Sequence, residues 1–163
     1  MTLLQKNSNT NQRNACYFTP KQLLKQYLAG ERDFRKIVFS NLILRWSDLQ
    51  EIDLSEACLH LSILEGSNFS KSNLVKADLS KASLVAADLS QADLRSANLQ
   101  EANLNGANLT GANLTGANLS GINLAQADLT DAIMPNGQIY AHRKIAFAKR
   151  SSRLLSLWQQ ACA

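Results

Sequence analysis

The side chains of this sequence that could do chemistry are two histidines, three cysteines, a dense run of carboxylates and many hydroxyls. A metal or acid–base site needs several such groups converging at a fixed spacing. His60 and His142 have no metal-ligand spacing around either of them, so each reads as an ordinary surface histidine. Cys16, Cys58 and Cys162 form an odd, scattered set with no CxxC pair. That pattern points to a reducing, cytoplasmic compartment and away from a disulfide or zinc framework. Cys58 has no activating neighbour and reads as inert. The carboxylates alternate with amides at a regular spacing, which is the arrangement of a solvated ladder and not of a general acid–base pair. Hydroxyls such as Thr110, Thr115 and Ser120 lack a base partner and read as turn formers. Gly106, Gly111, Gly116 and Gly121 recur every five residues with no helix following, which is no phosphate-binding loop. The expectation is a chain without enzymatic activity, cofactor, metal or small-molecule substrate.

The regular spacing of these groups leads back to what must position them. From Leu74 to Leu129 every fifth residue is leucine, twelve times in succession. The series runs back through Phe69, Leu64, Leu59, Leu54, Leu49, Leu44, Phe39 and Phe34 and forward to Met134, making 21 centres. Two residues before the centre stands Ala or Ser in 16 cases, and one residue before stands Asp or Asn in 15. The unit is A-(D/N)-L-x-x, cleanest in Ala107-Asn108-Leu109-Thr110-Gly111. On a helix a step of five advances about 500°, so successive leucines would ring the whole circumference. In a flat strand an odd step would send alternate leucines to opposite faces. A short extended piece followed by a bend satisfies every unit, with the centre and the small residue both pointing inward. Repeated, that motion winds a solenoid whose coils stack at strand spacing, about 4.8 Å apart.

Charge stacking bears on the number of quintets per coil. With four, Glu51 lies beside Lys71, Glu56 beside Lys76 and Lys81 beside Glu101, and carboxylates alternate with amides along Asp48, Asn68, Asp88, Asn108 and Asp128. Three per coil would set Asp33 against Asp48 and Asp78 against Asp93. Five per coil accounts for the charges about as well as four.

The A-(D/N)-L-x-x run from about Arg32 to Asn136 resembles the pentapeptide-repeat family. That resemblance implies an all-β solenoid, a right-handed quadrilateral β-helix with four quintets per coil and about five coils. Arg32, Ile37, Leu42 and Ile52 occupy the small-residue slot, so the first coils are expected to be wider or less regular.

The flanks read as end covers. Residues 1–18 are polar and are expected to be mobile. Over 19–31, Thr19-Pro20 with Gln22 spells the start of a capping helix, Leu23, Leu24, Tyr27 and Leu28 give it an apolar stripe, and Gly30 ends it. The repeat body is assigned to 32–136, and 137–163 to a basic amphipathic helix in which Phe147, Leu154, Leu155 and Trp158 line one side. That helix suits docking on the solenoid or self-association into a homodimer. Charge divides sharply: residues 1–31 carry +3, residues 32–136 carry −4 from eight bases and twelve acids, and residues 137–163 carry +5. The basic tail has no aromatic RNA-binding signature and no helix-turn-helix pattern, so contact with nucleic acid or membrane is disfavoured. No apolar run approaches the length of a membrane span, and no signal peptide is expected.

One departure from the repeat could carry function. Val38, Ile43, Trp46, Cys58, Leu61 and Ile63 put apolar groups where the unit should face water. With four quintets per coil, Val38 stacks on Cys58 and Ile43 on Ile63, which makes one contiguous patch, the usual mark of a contact site, to be covered either by a flanking helix of the same chain or by a partner protein or dimer mate. The reading is a rigid protein–protein interaction module with Trp46 as anchor. Two alternatives stand beside it. One is a DNA mimic like the gyrase-protecting members of the family, and the other is a purely structural scaffold. Positions 96–127 carry a single charge, Glu101, which is thin for a DNA mimic.

Overall fold

The computed structural model describes residues 19–39 and 41–140. From Asp33 to Ile133 the outward residue of every quintet pairs in parallel with the one twenty residues on, Asp33 with Asp53 through to Asn113 with Ile133. Twenty residues are four quintets. Each coil therefore has four faces, and the choice between four and five that charge stacking leaves open falls to four.

The backbone accounts for why the unit reads as it does. In the quintet centred on Leu79, all five N–H groups have acceptors. Ala77 donates to the Leu74 carbonyl across the turn (3.0 Å), Asp78 to Ala57 on the preceding coil (2.9 Å), Leu79 to Asn98 (2.8 Å) and Lys81 to Gln100 (2.9 Å) on the following one. The N–H of Ser80 has no backbone acceptor within reach and donates to the Asp78 carboxylate instead, at 3.1 Å. The same bond from side chain to the N–H two residues on forms at fourteen of the fifteen Asp and Asn slots. Asp or Asn in that slot is thus an Asx turn repeated along the rod, and it satisfies the one donor the coil leaves over. The amides also bond along the stack: Asn68 Nδ2 donates to Asp48 (3.0 Å), Asn108 to Asp88 (3.2 Å) and Asn123 to Asn103 (2.9 Å).

The last residue of each quintet turns the corner in the left-handed region, with φ between 53° and 70° from Lys36 to Asp131. With the i to i+3 bond this makes a type II-like turn. Alanine precedes the centre because the inner side of that corner holds little more than a methyl. Ile52 and Ile122 occupy the same slot, and their turn bonds, 3.4 and 3.2 Å, are longer than those of the alanines at 2.9–3.1 Å. The turns closing at Leu42 and Ser47 carry no such bond among the described residues. The first coil is therefore the looser one, although its 20-residue register is unbroken.

Leucines fill the axis. Those at 59, 79, 84, 89 and 94 are fully buried, as is Phe69, and each contributes on the order of 1.5–3 kcal/mol by leaving water. Serine replaces alanine at 62, 67 and 72. Ser67 Oγ donates to the Leu44 carbonyl, while the buried hydroxyls of Ser62 and Ser72 have no partner among the described residues.

At the N-terminal end, α1 (Pro20–Leu28) begins with the reciprocal Thr19–Gln22 capping box. It ends in a Schellman motif, in which Glu31 N–H bonds to Gln26, Gly30 N–H bonds to Tyr27, and Gly30 takes φ 95°. Leu23 and Tyr27 join the core, and Tyr27 Oη donates to the Gln50 carbonyl at 2.9 Å. Glu31 accepts the N–H groups of Arg32 and Asp33, both at 2.9 Å, so one carboxylate covers two donors of the open edge. Arg32, in a small-residue slot, stays outside the core and stacks on the Tyr27 ring with its guanidinium 3.9 Å from the centroid. Leu28, expected on the apolar stripe, is exposed.

At the other end, Pro135-Asn136-Gly137 reverses the chain. Gly137 N–H bonds to Met134, Met134 N–H to Gln138 and Tyr140 N–H to Ala132, making an antiparallel return along one face of the last coil. Residues 137–140, assigned from sequence to the tail helix, belong to this hairpin. The segments 1–18 and 141–163 lie outside the described residues, and with them Cys16, His142, Cys162 and the candidate docking residues Phe147, Leu154, Leu155 and Trp158.

Candidate functional site

The chemistry-bearing residues come together in one place that sequence spacing does not reveal. The 20-residue stack puts His60 beside Ser80, with Nδ1 2.8 Å from Oγ. A hydroxyl after a centre thus does have a histidine neighbour, contrary to the expectation for this class of residue. The Ser80 hydroxyl is spent on Asp78 Oδ1 at 2.5 Å, so the His60 Nδ1 that meets it is the protonated one and cannot act as its general base. Ser80 is buried. Burial pushes the Asp78 carboxyl up, but the bonds from Ser80, the charge of His60 and the Asn98 amide outweigh it and hold the group below its usual range. Cys58, half-buried with a free thiol, stacks on Asp78 in the same column. Among the described residues no group of three or more His, Cys, Asp or Glu is arranged to hold a metal ion. The interior between Leu59, Phe69 and Leu89 has no room for a water molecule, because the leucine stack fills it.

The apolar patch has clear geometry. Val38 pairs with Cys58 on one face and Ile43 with Ile63 on the next. Leu61 stands at the corner between these faces and Trp46 at the following corner, both in left-handed conformation. Ile43 is 52% exposed, Leu61 48% and Trp46 76%, while Val38, Cys58 and Ile63 are half-buried. The Trp46 indole lies against the corner of the next coil, where only glycine leaves space. A Cβ on Gly66 would fall 2.1 Å from the ring carbons Cε3 and Cζ3. The ring therefore approaches the backbone at Gly66 and leaves most of its surface exposed. Arg45 and Glu65 pair beside it at 2.9 Å, and Ser83 Oγ donates to the same carboxylate at 2.9 Å. Those bonds, Arg45 first, hold the Glu65 carboxyl below its usual range.

Of the charge pairs expected from stacking, Lys81–Glu101 closes at 3.8 Å, while Glu56 meets Lys36 at 3.6 Å instead of Lys76. Glu51 and Lys71 form no ion pair among the described residues. Two short pairs were not foreseen, Arg35–Asp33 and Arg95–Asp93, both 2.7 Å. Each base stands two residues after the acid, on the residue whose N–H the same acid caps.

A sequence profile of pentapeptide repeats matches residues 72–111, 92–131 and 107–138, eight copies in all. The chain belongs to the pentapeptide-repeat family. Its fold is the right-handed quadrilateral β-helix of that family, and the unbroken 20-residue register carries it back to Asp33, beyond the matched stretch. Among solved structures the chain is similar to the pentapeptide repeat protein Rfr23 of the cyanobacterium Cyanothece 51142, at 40% identity over 57% of this chain and 63% of that one, with a TM-score of 0.54. The chain thus spans less than two thirds of that relative's length. HetL of Nostoc sp. strain PCC 7120, described as involved in heterocyst differentiation regulation, is 24% identical over 76% of this chain and all of its own, with a TM-score of 0.48. A second Nostoc PCC 7120 pentapeptide repeat protein, alr5209, is 35% identical over 74% of this chain and 84% of its own, with a TM-score of 0.31. None of the curated proteins matches the chain. Among the described residues no helix is long and apolar enough to cross a membrane.

Proposed function

We propose that this pentapeptide-repeat protein is a non-enzymatic adaptor that offers the outer faces of its first two coils to another protein. The observation behind this reading is the exposed surface of Ile43, Leu61 and Trp46. It occurs where Val38, Ile43, Cys58 and Ile63 have displaced the Asp or Asn that caps the turn elsewhere. Each replacement forgoes a side-chain bond worth about 1 kcal/mol, a loss that a contact surface would explain. A rigid wall gives up little conformational entropy on binding, and an exposed tryptophan at the edge of the patch is a natural anchor. The half-buried free thiol of Cys58 suits a reducing, cytoplasmic setting.

Capture from native lysate tests this, using the full chain, the Ile43→Asp/Ile63→Asp variant and Asn123→Asp on the same face at the far end. A protein retained by the wild type and by Asn123→Asp, and lost by the folded double variant, supports the adaptor reading. Identical sets on all three baits overturn it, and failure of the double variant to fold would make the patch part of the core. Nothing retained by any bait would favour the purely structural role. The DNA-mimic alternative requires protection of gyrase in a supercoiling assay. Against it, among the described residues Asp33, Glu56, Glu65, Asp93 and Glu101 of the repeat's twelve acids each stand within 4 Å of a base.

A further inference from the structure

The two ends of the rod are finished differently. Over the first coil lie α1 and Glu31, and its centres Phe34, Phe39, Leu44 and Leu49 are all buried. Among the described residues the last coil has cover on one face only, where Met134 and Ala132 pair with the hairpin return. On the other three faces the N–H groups of Leu119, Leu124 and Leu129, and of the corner residues Gly121, Gln126 and Asp131, point where a next coil would accept them. No backbone acceptor meets them among the described residues. Leu119 is only partly buried, while Leu124 and Leu129 are buried. An open parallel edge over an apolar end is a template for pairing with another chain, and stable solenoids cover it.

Three observations identify the cover. The hairpin brings Tyr140 back alongside Ala132, so the chain leaves from this end, with Ile139 and Tyr140 already exposed there. The 23 residues that follow contain Phe147, Leu154, Leu155 and Trp158. Charge is complementary: the last coil, 115–134, carries Asp128 and Asp131 and no base, and 141–163 carry Arg143, Lys144, Lys149, Arg150 and Arg153 and no acid. A tethered segment also competes at an effective concentration of the order of millimolar, well above that of a second molecule.

We propose that residues 141–163 of this chain seat on the end of the last coil and cover Leu119 and the N–H groups of Leu124 and Leu129. The tail keeps the edge from pairing. If it is displaced, two such ends can pair with each other, and because α1 closes the opposite ends, association stops at a dimer and does not run into a filament.

The test uses the full chain and a Leu154→Asp/Leu155→Asp variant, with amide hydrogen exchange in dilute solution and mass by sedimentation at rising concentration. The wild type is expected to be a monomer in which the amides of Leu119, Leu124 and Leu129 exchange roughly a hundredfold more slowly than unprotected ones. In the variant these amides speed up, those of Leu79 and Leu89 stay slow, and the mass climbs toward two chains as concentration rises. Rapid exchange at the three amides in the wild type overturns the proposal, as does exchange that the variant leaves unchanged. A wild-type dimer that the variant dissociates also overturns it and makes the tail a self-association element. If the variant also loses protection at Leu79 and Leu89 it has unfolded. The charge-reversed chain Lys149→Glu/Arg150→Glu/Arg153→Glu then decides on the same amides, faster exchange supporting the proposal and unchanged exchange overturning it.

Discussion

The first two coils, 32–71, and the coils that follow them, 72–131, share one backbone register and differ in what they give their outward slots. Beyond Ser72 the Asp and Asn residues cap nearly every turn and bond to their neighbours up and down the stack. In the first two coils four of the eight slots hold Val38, Ile43, Cys58 and Ile63, which accept no hydrogen bond of this kind. A contrasting case at the far end sharpens the point. Ile133 also occupies an outward slot, but the residue two positions on is Pro135, which has no N–H to cap, so isoleucine costs nothing there. The apolar residues of the early coils have no such excuse. The backbone alone does not favour them, and that is the observation behind the proposed contact surface.

Breaking the core should have the largest effect and show no preference for its neighbours' outward slots. Leu84→Ala, in the tightly packed centre, is expected to cost about 3 kcal/mol, read from the shift of a urea unfolding midpoint. Next comes the Asx slot itself. Asn103→Ala removes the cap on Asn105 N–H and the amide bond from Asn123, and about 1–2 kcal/mol should be lost. The reverse substitution in the early coils is the sharpest comparison. Ile43→Asn supplies an acceptor for Arg45 N–H and should raise stability by about 1 kcal/mol while abolishing partner capture. A destabilising result would mean that Ile43 serves the fold. Smaller still, Ser72→Ala removes a buried hydroxyl without a partner and should stabilise by about 0.5 kcal/mol. A net loss would reveal a bond to that hydroxyl.

Acid should weaken the rod gently. Burial pushes the Asp93 carboxyl up, but the side-chain and backbone bonds from Arg95 outweigh it and leave the group below its ordinary value. A lowered carboxylate contributes stability that is present above its unfolded pKa, near 4, and fades as pH falls through the folded value. Asp33 behaves alike, held down first by its bond from Arg35. The melting temperature should therefore drop as pH goes from about 5 toward 2. Asp93→Asn, which keeps an acceptor for the turn, should lessen that drop.

Much of this architecture is legible from the chain because the quintet is local. Leu every five residues, with Ala and Asx at fixed offsets, states which side chains face in and which face out before any coil is closed. The capping box at Thr19 and the stop at Gly30 are local for the same reason. The reason for the Asx slot was not legible, since Asp and Asn at a surface position look like solvation until the N–H of the second residue on is seen to lack a backbone acceptor. The His60–Ser80 contact and the seat of Trp46 on Gly66 were hidden as well. Both join residues twenty apart, and that distance has no meaning until the number of quintets per coil is known.

By itself, then, the sequence determines a period-five solenoid, its inward and outward sides, and an apolar departure in its first coils. Only the tertiary structure decides that four quintets close a coil, which residues consequently become neighbours, and which end of the rod α1 covers. The physical reason is that bends of one quintet are set by nearby side chains, whereas closure of a coil is the sum of four bends. It is registered only in hydrogen bonds between residues twenty positions apart.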